Sequence, residues 1–221
     1  MELGLAGRAT VVAGGTRGIG RSTAELLAAE GARVAVLARD ELELRDTEEA
    51  LQAAGARDAL GLQCDLLDTG EVEAAFSFLD ERWGECHALV NAVSPAHFGA
   101  LDELTDNEWL DEFDRGVLTM VRTTRAALPL LRKATFARIV NLAASSIRHQ
   151  SPGLIGYTAA EAALASASTC PMRRANALVR LPNGRAFREC CIRARYPKGP
   201  RGNALAVHCA SPARFGEMTD G

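Results

Sequence analysis

Hydrophobic and polar positions along residues 1–168 follow two alternating patterns. Short runs of apolar and β-branched residues are typical of buried strands, whereas apolar residues at every third or fourth position are typical of helices with one buried face. The runs predict five strands, at Ala9–Ala13, Arg33–Ala38, Ala59–Cys64, His87–Asn91 and Arg138–Leu142. The helical spacing predicts a helix through Ile19, Thr23, Leu26 and Leu27, then Glu41–Ala54, Gly70–Arg82, a long helix from about Asn107 to Leu131, and one that starts near Gly156.

The regular alternation of these strands and helices predicts the fold class. Strands separated by helices of this length favour a parallel sheet that is covered by helices on both faces. The sequence therefore predicts an α/β protein with a doubly wound, Rossmann-like parallel sheet in three layers. We expect residues 1–168 to form one nucleotide-binding domain of this type.

Residues 169–221 show neither the apolar runs of strands nor the apolar spacing of helices, and they are predicted to form an irregular, basic segment. From position 170 onward the chain has five of its eight prolines, four of its six cysteines and nine arginines. A short strand is compatible with Ala204–Cys209, but no complete strand–helix–strand unit surrounds it. An altered reading frame would produce such an abrupt change of character, a hypothesis that the coding DNA would test.

Charge and composition narrow the classes of partner. Residues 1–161 have 15 Lys and Arg against 25 Asp and Glu, a net charge of −10, and residues 162–221 have a net charge of +7. The basic segment lacks clustered lysines and interleaved aromatic residues, so we do not expect a nucleic-acid partner.

The cysteines show no metal-site spacing, which predicts no bound metal. Without a signal peptide or a long apolar run, we expect a cytoplasmic protein with no membrane segment.

A glycine-rich loop lies between the first predicted strand and the first predicted helix. Its residues are Gly14, Gly15, Thr16, Arg17, Gly18, Ile19 and Gly20. Glycines allow the backbone to turn tightly and to approach a pyrophosphate closely, while the following helix N-terminus offers unpaired N–H groups to the phosphate. A glycine-rich tight turn without a ligand is the alternative, but the position between strand and helix favours dinucleotide binding.

This loop resembles the T-G-x-x-x-G-x-G loop of the short-chain dehydrogenase/reductase family, with Ala13 in place of the threonine. The resemblance extends over residues 5–168 and implies an oxidoreductase that transfers hydride between a nicotinamide cofactor and a small-molecule carbonyl or alcohol. It implies that Asp65, next to Leu66, binds the adenine ring. Asn91 matches the start of the family's N-N-A-G segment, which here continues differently, as Ala92, Val93 and Ser94.

The end of the second predicted strand bears on the choice of nicotinamide cofactor. Arg39 follows this strand, and Arg17 lies in the glycine loop. Two arginines suit the 2′-phosphate of NADP, whereas an acidic residue such as Asp40 would suit the ribose hydroxyls of NAD. We favour NADP over NAD. The alternative is that both arginines are solvated surface residues and that Asp40 begins the next helix.

The family resemblance also implies a catalytic set. A tyrosine acts as the acid or base, and a lysine four residues later lowers its pKa. Here Tyr157 is followed at that spacing by Glu161, which places both side chains on one helix face. A carboxylate should raise the pKa of the tyrosine instead.

The other two catalytic positions of the family also differ in this chain. The serine that orients the carbonyl aligns with Ala144, so Ser146, or less favourably Ser145, is predicted in that role; both could instead be turn formers. The family's helix asparagine aligns with Gly116. The leading interpretation is an active carbonyl reductase; the alternative is an inactive relative that binds dinucleotide in a regulatory or scaffold role. The family resemblance also implies a homodimer or homotetramer, formed through the long helix and the tyrosine helix.

Overall fold

A parallel β-sheet forms the centre of the molecule. The computed structural model describes residues 3–94, 97–148, 151–178 and 205–207, with side chains up to residue 168. The parallel strands are β1 (Ala9–Ala13), β2 (Arg33–Ala38), β3 (Asp58–Gln63), β4 (Ala88–Asn91) and β5 (Arg138–Ala144). A three-residue strand, β6 (Leu205–Val207), pairs antiparallel with β5.

Helices connect successive parallel strands and also follow the last of them, β5. They are α1 (Gly18–Ala29), α2 (Glu41–Ala54), α3 (Thr69–Trp83), α4 (Asp106–Phe113), a π-helical turn (Asp114–Leu118), α5 (Thr119–Lys133), a 3-10 turn (Ser145–Ile147) and α6 (Ile155–Leu178). No helix in the described part of the chain is both long and apolar enough to cross a membrane.

The strand order shows how the chain is wound. The order across the sheet is β3-β2-β1-β4-β5-β6, so the chain moves outward from β1 in one direction and then returns to continue on its other side. Ligands of open α/β sheets bind at the carboxyl ends of the strands where the order reverses, here between β1 and β4. The predicted doubly wound, Rossmann-like α/β fold is confirmed.

Two apolar clusters cover the two faces of the sheet and produce the three layers. Along β1, Val11 packs into the cluster that contains Phe76 of α3 and Leu131 of α5, whereas its neighbour Val12 packs into the cluster that contains Leu51 of α2. Successive strand side chains point to opposite faces. Since β1 is buried on both faces, its sequence is a continuous apolar run and not an alternating one.

The structure differs from the predicted elements mainly in the long helix. Most boundaries move by one or two residues, within the usual uncertainty of helix and strand ends. The helix predicted from about Asn107 to Leu131 is divided by the π-helical turn around Gly116. Helix α6 continues to Leu178, beyond residue 168, the predicted end of the domain. Most of the basic C-terminal segment, with three of its four cysteines and the suspected change of reading frame, lies outside the described residues.

Candidate active site

The glycine loop forms a tight cradle between the end of β1 and the start of α1. Gly14 has a φ of +78°, which favours glycine, and a Cβ there would lie 2.7 Å from Val93 Cγ2. A Cβ on Gly20 would lie only 2.1 Å from the carbonyl oxygen of Gly14. The loop can therefore keep this close backbone approach only with glycine at both positions.

The N-terminus of α1 lacks a side-chain cap. Arg17 occupies the N-cap position without making a side-chain hydrogen bond to the helix. In contrast, Asp40 caps α2 by accepting a hydrogen bond from Glu43 N at 2.9 Å, and Asp68 caps α3 by accepting one from Glu71 N at 3.0 Å. The first N–H groups of α1 are thus left for a ligand, and the positive end of the helix dipole favours an anionic one.

A cavity of about 830 Å³ begins at this loop and extends to α6. It lies at the carboxyl ends of the strands. Eleven of the predicted site residues line it: Gly14, Thr16, Arg17, Gly18, Ile19, Gly20, Arg39, Asp65, Leu66, Tyr157 and Glu161. The predicted phosphate-binding residues and the predicted proton donor therefore face the same space.

Two arginines lie at the β2 end of this cavity. Arg17 and Arg39 both line it and are exposed. Asp40 also lines it, but its carboxylate accepts the hydrogen bond that caps α2. A second carboxylate in this region, Glu43, accepts a hydrogen bond from Thr16 Oγ1 at 2.8 Å. Both acidic side chains are thus engaged by groups of the protein, while the two guanidinium groups face the cavity.

Asn91 lies at the end of β4 but does not line the cavity. Its amide nitrogen donates to Asn141 Oδ1 at 2.7 Å, and its carbonyl oxygen accepts from Thr123 Oγ1 at 2.7 Å. The side chain is buried and links β4 with β5 and α5. In this structure Asn91 holds β4, β5 and α5 together beneath the cavity. Its predicted contact with the cofactor stays a prediction.

Ser145 and Ser146 lie in the 3-10 turn that follows β5, and neither lines the cavity. Within the described part of the chain, the hydroxyl of Ser146 is buried and has no hydrogen-bond partner. Ala144, which aligns with the family's serine, does line the cavity. The choice between the two serines as the carbonyl-orienting group stays a prediction.

Glu161 occupies the inner end of the site. Its side chain is one turn along α6 from Tyr157, and the residue is only 1% exposed. One carboxyl oxygen accepts a hydrogen bond from Ala144 N at 2.8 Å, and the other accepts from the Ser94 hydroxyl. Burial raises the pKa of Glu161, although both hydrogen bonds act in the opposite direction by favouring the carboxylate.

The pKa of Tyr157 is raised as well. Burial is the largest cause and the charge of Glu161 the second, while a hydrogen bond with Ser94 acts in the opposite direction. The direction agrees with the effect expected of Glu161 from the sequence, but desolvation contributes more than the neighbouring charge. A phenol with a raised pKa is a weaker proton donor, unless a neighbouring group resupplies the proton.

Sequence reasoning did not identify Ser94 as a functional residue. Ser94 hydrogen-bonds both Tyr157 and Glu161, so it joins the two residues that lie one helical turn apart. The available signal was its position in the family's N-N-A-G segment, where a polar side chain stands in place of glycine. A hydroxyl at this position of the segment can form contacts that the family pattern does not predict.

Helix α4 and the π-helical turn close the site on the side of α6. Glu112 is buried, accepts a hydrogen bond from His97 N, and raises the pKa of both Tyr157 and Glu161 through its charge. Gly116 lies close to α6: a Cβ added at this glycine would lie 3.5 Å from the Cβ of Ala160. Arg115 lines the cavity beside these groups.

The residues present fit a nicotinamide dinucleotide. The uncapped helix N-terminus and the glycine cradle suit a pyrophosphate, the arginines at the β2 end suit a further phosphate, and Asp65 lies at the end of β3 where an adenine ring would lie. The opposite end of the cavity holds Tyr157, a group that can donate a proton.

Comparison with known proteins gives relatives of one kind. The family model of the short chain dehydrogenases matches residues 8–176. A protein of Streptomyces coelicolor assigned as a ketoacyl reductase is 36% identical over 163 residues, which cover 68% of this chain and 62% of the relative. The 3-oxoacyl-acyl-carrier-protein reductase of Escherichia coli is 29% identical over 158 residues, which cover 72% of this chain and 63% of the relative.

Solved structures give the same result. A single-site variant of the actinorhodin polyketide ketoreductase with NADPH has a TM-score of 0.72 at 31% identity, over 76% of this chain and 65% of that chain. A short chain dehydrogenase from Mycobacterium smegmatis has a TM-score of 0.72 at 27% identity, over 77% of this chain and 70% of that chain. The chain spans less than two thirds of the length of the curated relatives it matches. A match over residues 8–176, together with the shared fold, shows that the chain belongs to the short-chain dehydrogenase/reductase family.

Proposed function

We propose that the chain is an NADPH-dependent oxidoreductase that reduces the carbonyl group of a small molecule, or oxidises the matching alcohol. The observation that supports this most strongly is that the glycine loop and Tyr157 line one continuous cavity. Two relatives assigned as ketoacyl reductases make β-ketoacyl compounds the first substrate class to test.

In this proposal the glycine-loop end of the cavity holds the cofactor, and the Tyr157 end holds the substrate carbonyl. When bound, NADPH supplies the hydride that reaches the carbonyl carbon. The hydroxyl of Tyr157 donates a proton to the carbonyl oxygen, so that the product is an alcohol. We assign the orientation of the carbonyl to Ser146, before Ser145, because both serines directly follow Ala144, the cavity-lining residue that aligns with the family's serine.

The preference for NADP over NAD rests on the β2 end of the cavity. Arg17 and Arg39 supply two positive charges there, and hydrogen bonds between an ionised donor and a phosphate are about twice as strong as neutral ones. Asp40, the acidic residue that could instead bind ribose hydroxyls, caps α2. The solved relative with NADPH is consistent with this preference.

We also propose that the protein assembles into a homodimer or homotetramer. Large apolar side chains on α4 and on the π-helical turn are exposed, among them Leu110 at 68% and Leu118 at 44%. We expect this surface to form the contact of a homodimer or homotetramer. In light scattering, Leu110→Asp should lower the mass of the particle, whereas Leu42→Asp, at a similarly exposed leucine of α2, should leave it unchanged.

Turnover with a matched variant tests the proposed reaction. NADPH consumption is measured by absorbance with a β-ketoester, and NADPH binding is measured separately by calorimetry. We expect the wild-type protein to reduce the ketone, and Tyr157→Phe to lose kcat by a factor on the order of 10² or more while it retains NADPH binding. Binding of NADPH without reduction of any ketone would instead indicate an inactive dinucleotide-binding relative.

A further inference from the structure

Three side chains that line the cavity, those of Tyr157, Ser94 and Glu161, interact with one another in series. The hydroxyl of Ser94 donates a hydrogen bond to Glu161, and its interaction with the phenol of Tyr157 lowers the pKa of that phenol. Beyond the carboxyl group, Ala144 N donates to its second oxygen at 2.8 Å. The contacts therefore follow the order phenol, aliphatic hydroxyl, carboxyl group and backbone N–H, along one wall of the cavity.

From this arrangement we propose that Glu161 works as a carboxylic acid that returns a proton to Tyr157 through the Ser94 hydroxyl. The proposal rests on the reductase function proposed above and assigns Ser94 and Glu161 as positioning residues for it. Tyr157 remains the group that touches the substrate.

The proton balance of the step is simple. Tyr157 loses its proton to the carbonyl oxygen as the carbonyl carbon is reduced, which leaves a phenolate. The hydroxyl of Ser94 gives its proton to the phenolate oxygen and takes one from the carboxyl group of Glu161. The step ends with a neutral phenol, a neutral serine and a carboxylate, and the two oxygens of that carboxylate keep their contacts with Ser94 Oγ and Ala144 N.

The energetics favour this direction. A carboxylic acid, with an ordinary pKa of 4.5, is a much stronger acid than a phenol with an ordinary pKa of 10.0, and burial raises both values. A carboxyl group that retains its proton also does not repel the transient phenolate, whereas a carboxylate would. Among the charged groups near the pair, Glu112 of α4 favours the protonated form of Glu161, and Arg115 lines the same cavity.

A route for reloading the carboxyl group is also present. Glu161 is buried, but Ser94 is exposed. Water can therefore reach the hydroxyl and, through it, the carboxylate.

The protonation state of Glu161 can be tested without turnover. Infrared spectroscopy of the cofactor-free protein at neutral pH separates the carbonyl stretch of a neutral carboxyl group from that of a carboxylate. We expect a neutral-carboxyl band that loses a component in Glu161→Gln and retains that component in Glu112→Gln, the matched change at the neighbouring buried carboxyl group. A spectrum of Glu161→Gln identical to that of the wild-type protein would overturn the proposal.

The connection through Ser94 is tested with NADPH and a β-ketoester. We expect Ser94→Ala to lower kcat by about tenfold or more, and Ser94→Thr, which keeps a hydroxyl, to recover most of the loss. In the wild-type protein kcat should fall as the pH rises and Glu161 loses its proton, and this fall should be absent in Glu161→Gln.

Full kcat in Ser94→Ala, in a protein that reduces the ketone, would overturn the relay and leave the proposed function intact. NADPH binding with no ketone reduced by the wild-type protein would overturn both, since the relay would have no reaction to serve.

Discussion

At position 161 a carboxyl group lies one helical turn from the proton donor of the site, where a lysine is typical of the family. The backbone N–H of Ala144 and the hydroxyl of Ser94 both donate to it, so the group is fixed in place and is not a free surface charge. At the alkaline pH at which a tyrosine ionises, Glu161 is ionised as well and opposes formation of the phenolate.

Replacing this charge should therefore move the titration of Tyr157. We expect the pKa of Tyr157 to decrease from wild type to Glu161→Gln, and to decrease further in Glu161→Lys, because a carboxylate is replaced first by a neutral and then by a cationic group. Ultraviolet absorbance of the phenolate during alkaline titration of the cofactor-free protein measures this, with Tyr157→Phe as the blank for Tyr196. An unchanged pKa in both variants would show that burial alone determines it.

At the scale of elements, the α1 N-terminus and the π-helical turn position the site. The sequence predicted the glycine loop because its glycines stand between two clear periodic segments. It did not predict the π-helical turn at Gly116, because one extra residue per turn changes the apolar spacing only slightly over a long helix. It also could not predict the contacts of Ser94, since they depend on how α6 packs against the segment that follows β4.

A single added methyl group tests the role of the glycine cradle. Gly20→Ala places a Cβ 2.1 Å from a backbone oxygen, and the backbone must shift to accept it. We expect the free energy of unfolding to fall by about 1–3 kcal/mol and NADPH binding to be lost. Gly153→Ala is the control, since nothing lies within 4 Å of a Cβ at that position. Unchanged NADPH affinity in Gly20→Ala would show that the cradle is not the phosphate site.

At the scale of the whole molecule, the sheet is the feature that the sequence predicted best. Each parallel strand is a short, distinctly apolar run, and the alternation with helices excludes most other architectures. The order of the strands depends on pairing between distant segments, such as β1 with β4, which periodicity cannot determine. The burial of Glu112 and Glu161 inside this fold is a further long-range result, and it affects the stability of the entire domain.

Buried carboxyl groups with raised pKa values make stability depend on pH in a definite direction. Above the ordinary pKa of 4.5, the folded chain retains a proton on Glu161 that the unfolded chain has lost. The free energy of unfolding should therefore fall as the pH rises from about 4.5 through the pKa of the folded state. The slope of this fall is about 1.4 kcal/mol per pH unit while the folded chain holds one proton more than the unfolded chain.

Thermal unfolding across this range should show a smaller decrease for Glu161→Gln than for the wild-type protein. Glu73→Gln, which removes an exposed carboxylate on α3, serves as the control. Parallel curves for wild type and Glu161→Gln would contradict a raised pKa at Glu161.

The most direct test of the central claim, that the cavity at the glycine loop binds NADP(H), is calorimetric titration of the cofactor-free protein with NADPH and, in parallel, with NADH. We predict that NADPH binds about tenfold to a hundredfold more tightly, because its 2′-phosphate forms charge-assisted hydrogen bonds with Arg17 and Arg39. Arg39→Ala should reduce this difference, whereas Arg45→Ala, at an exposed arginine of α2, should not. Absence of binding for both cofactors would contradict the account.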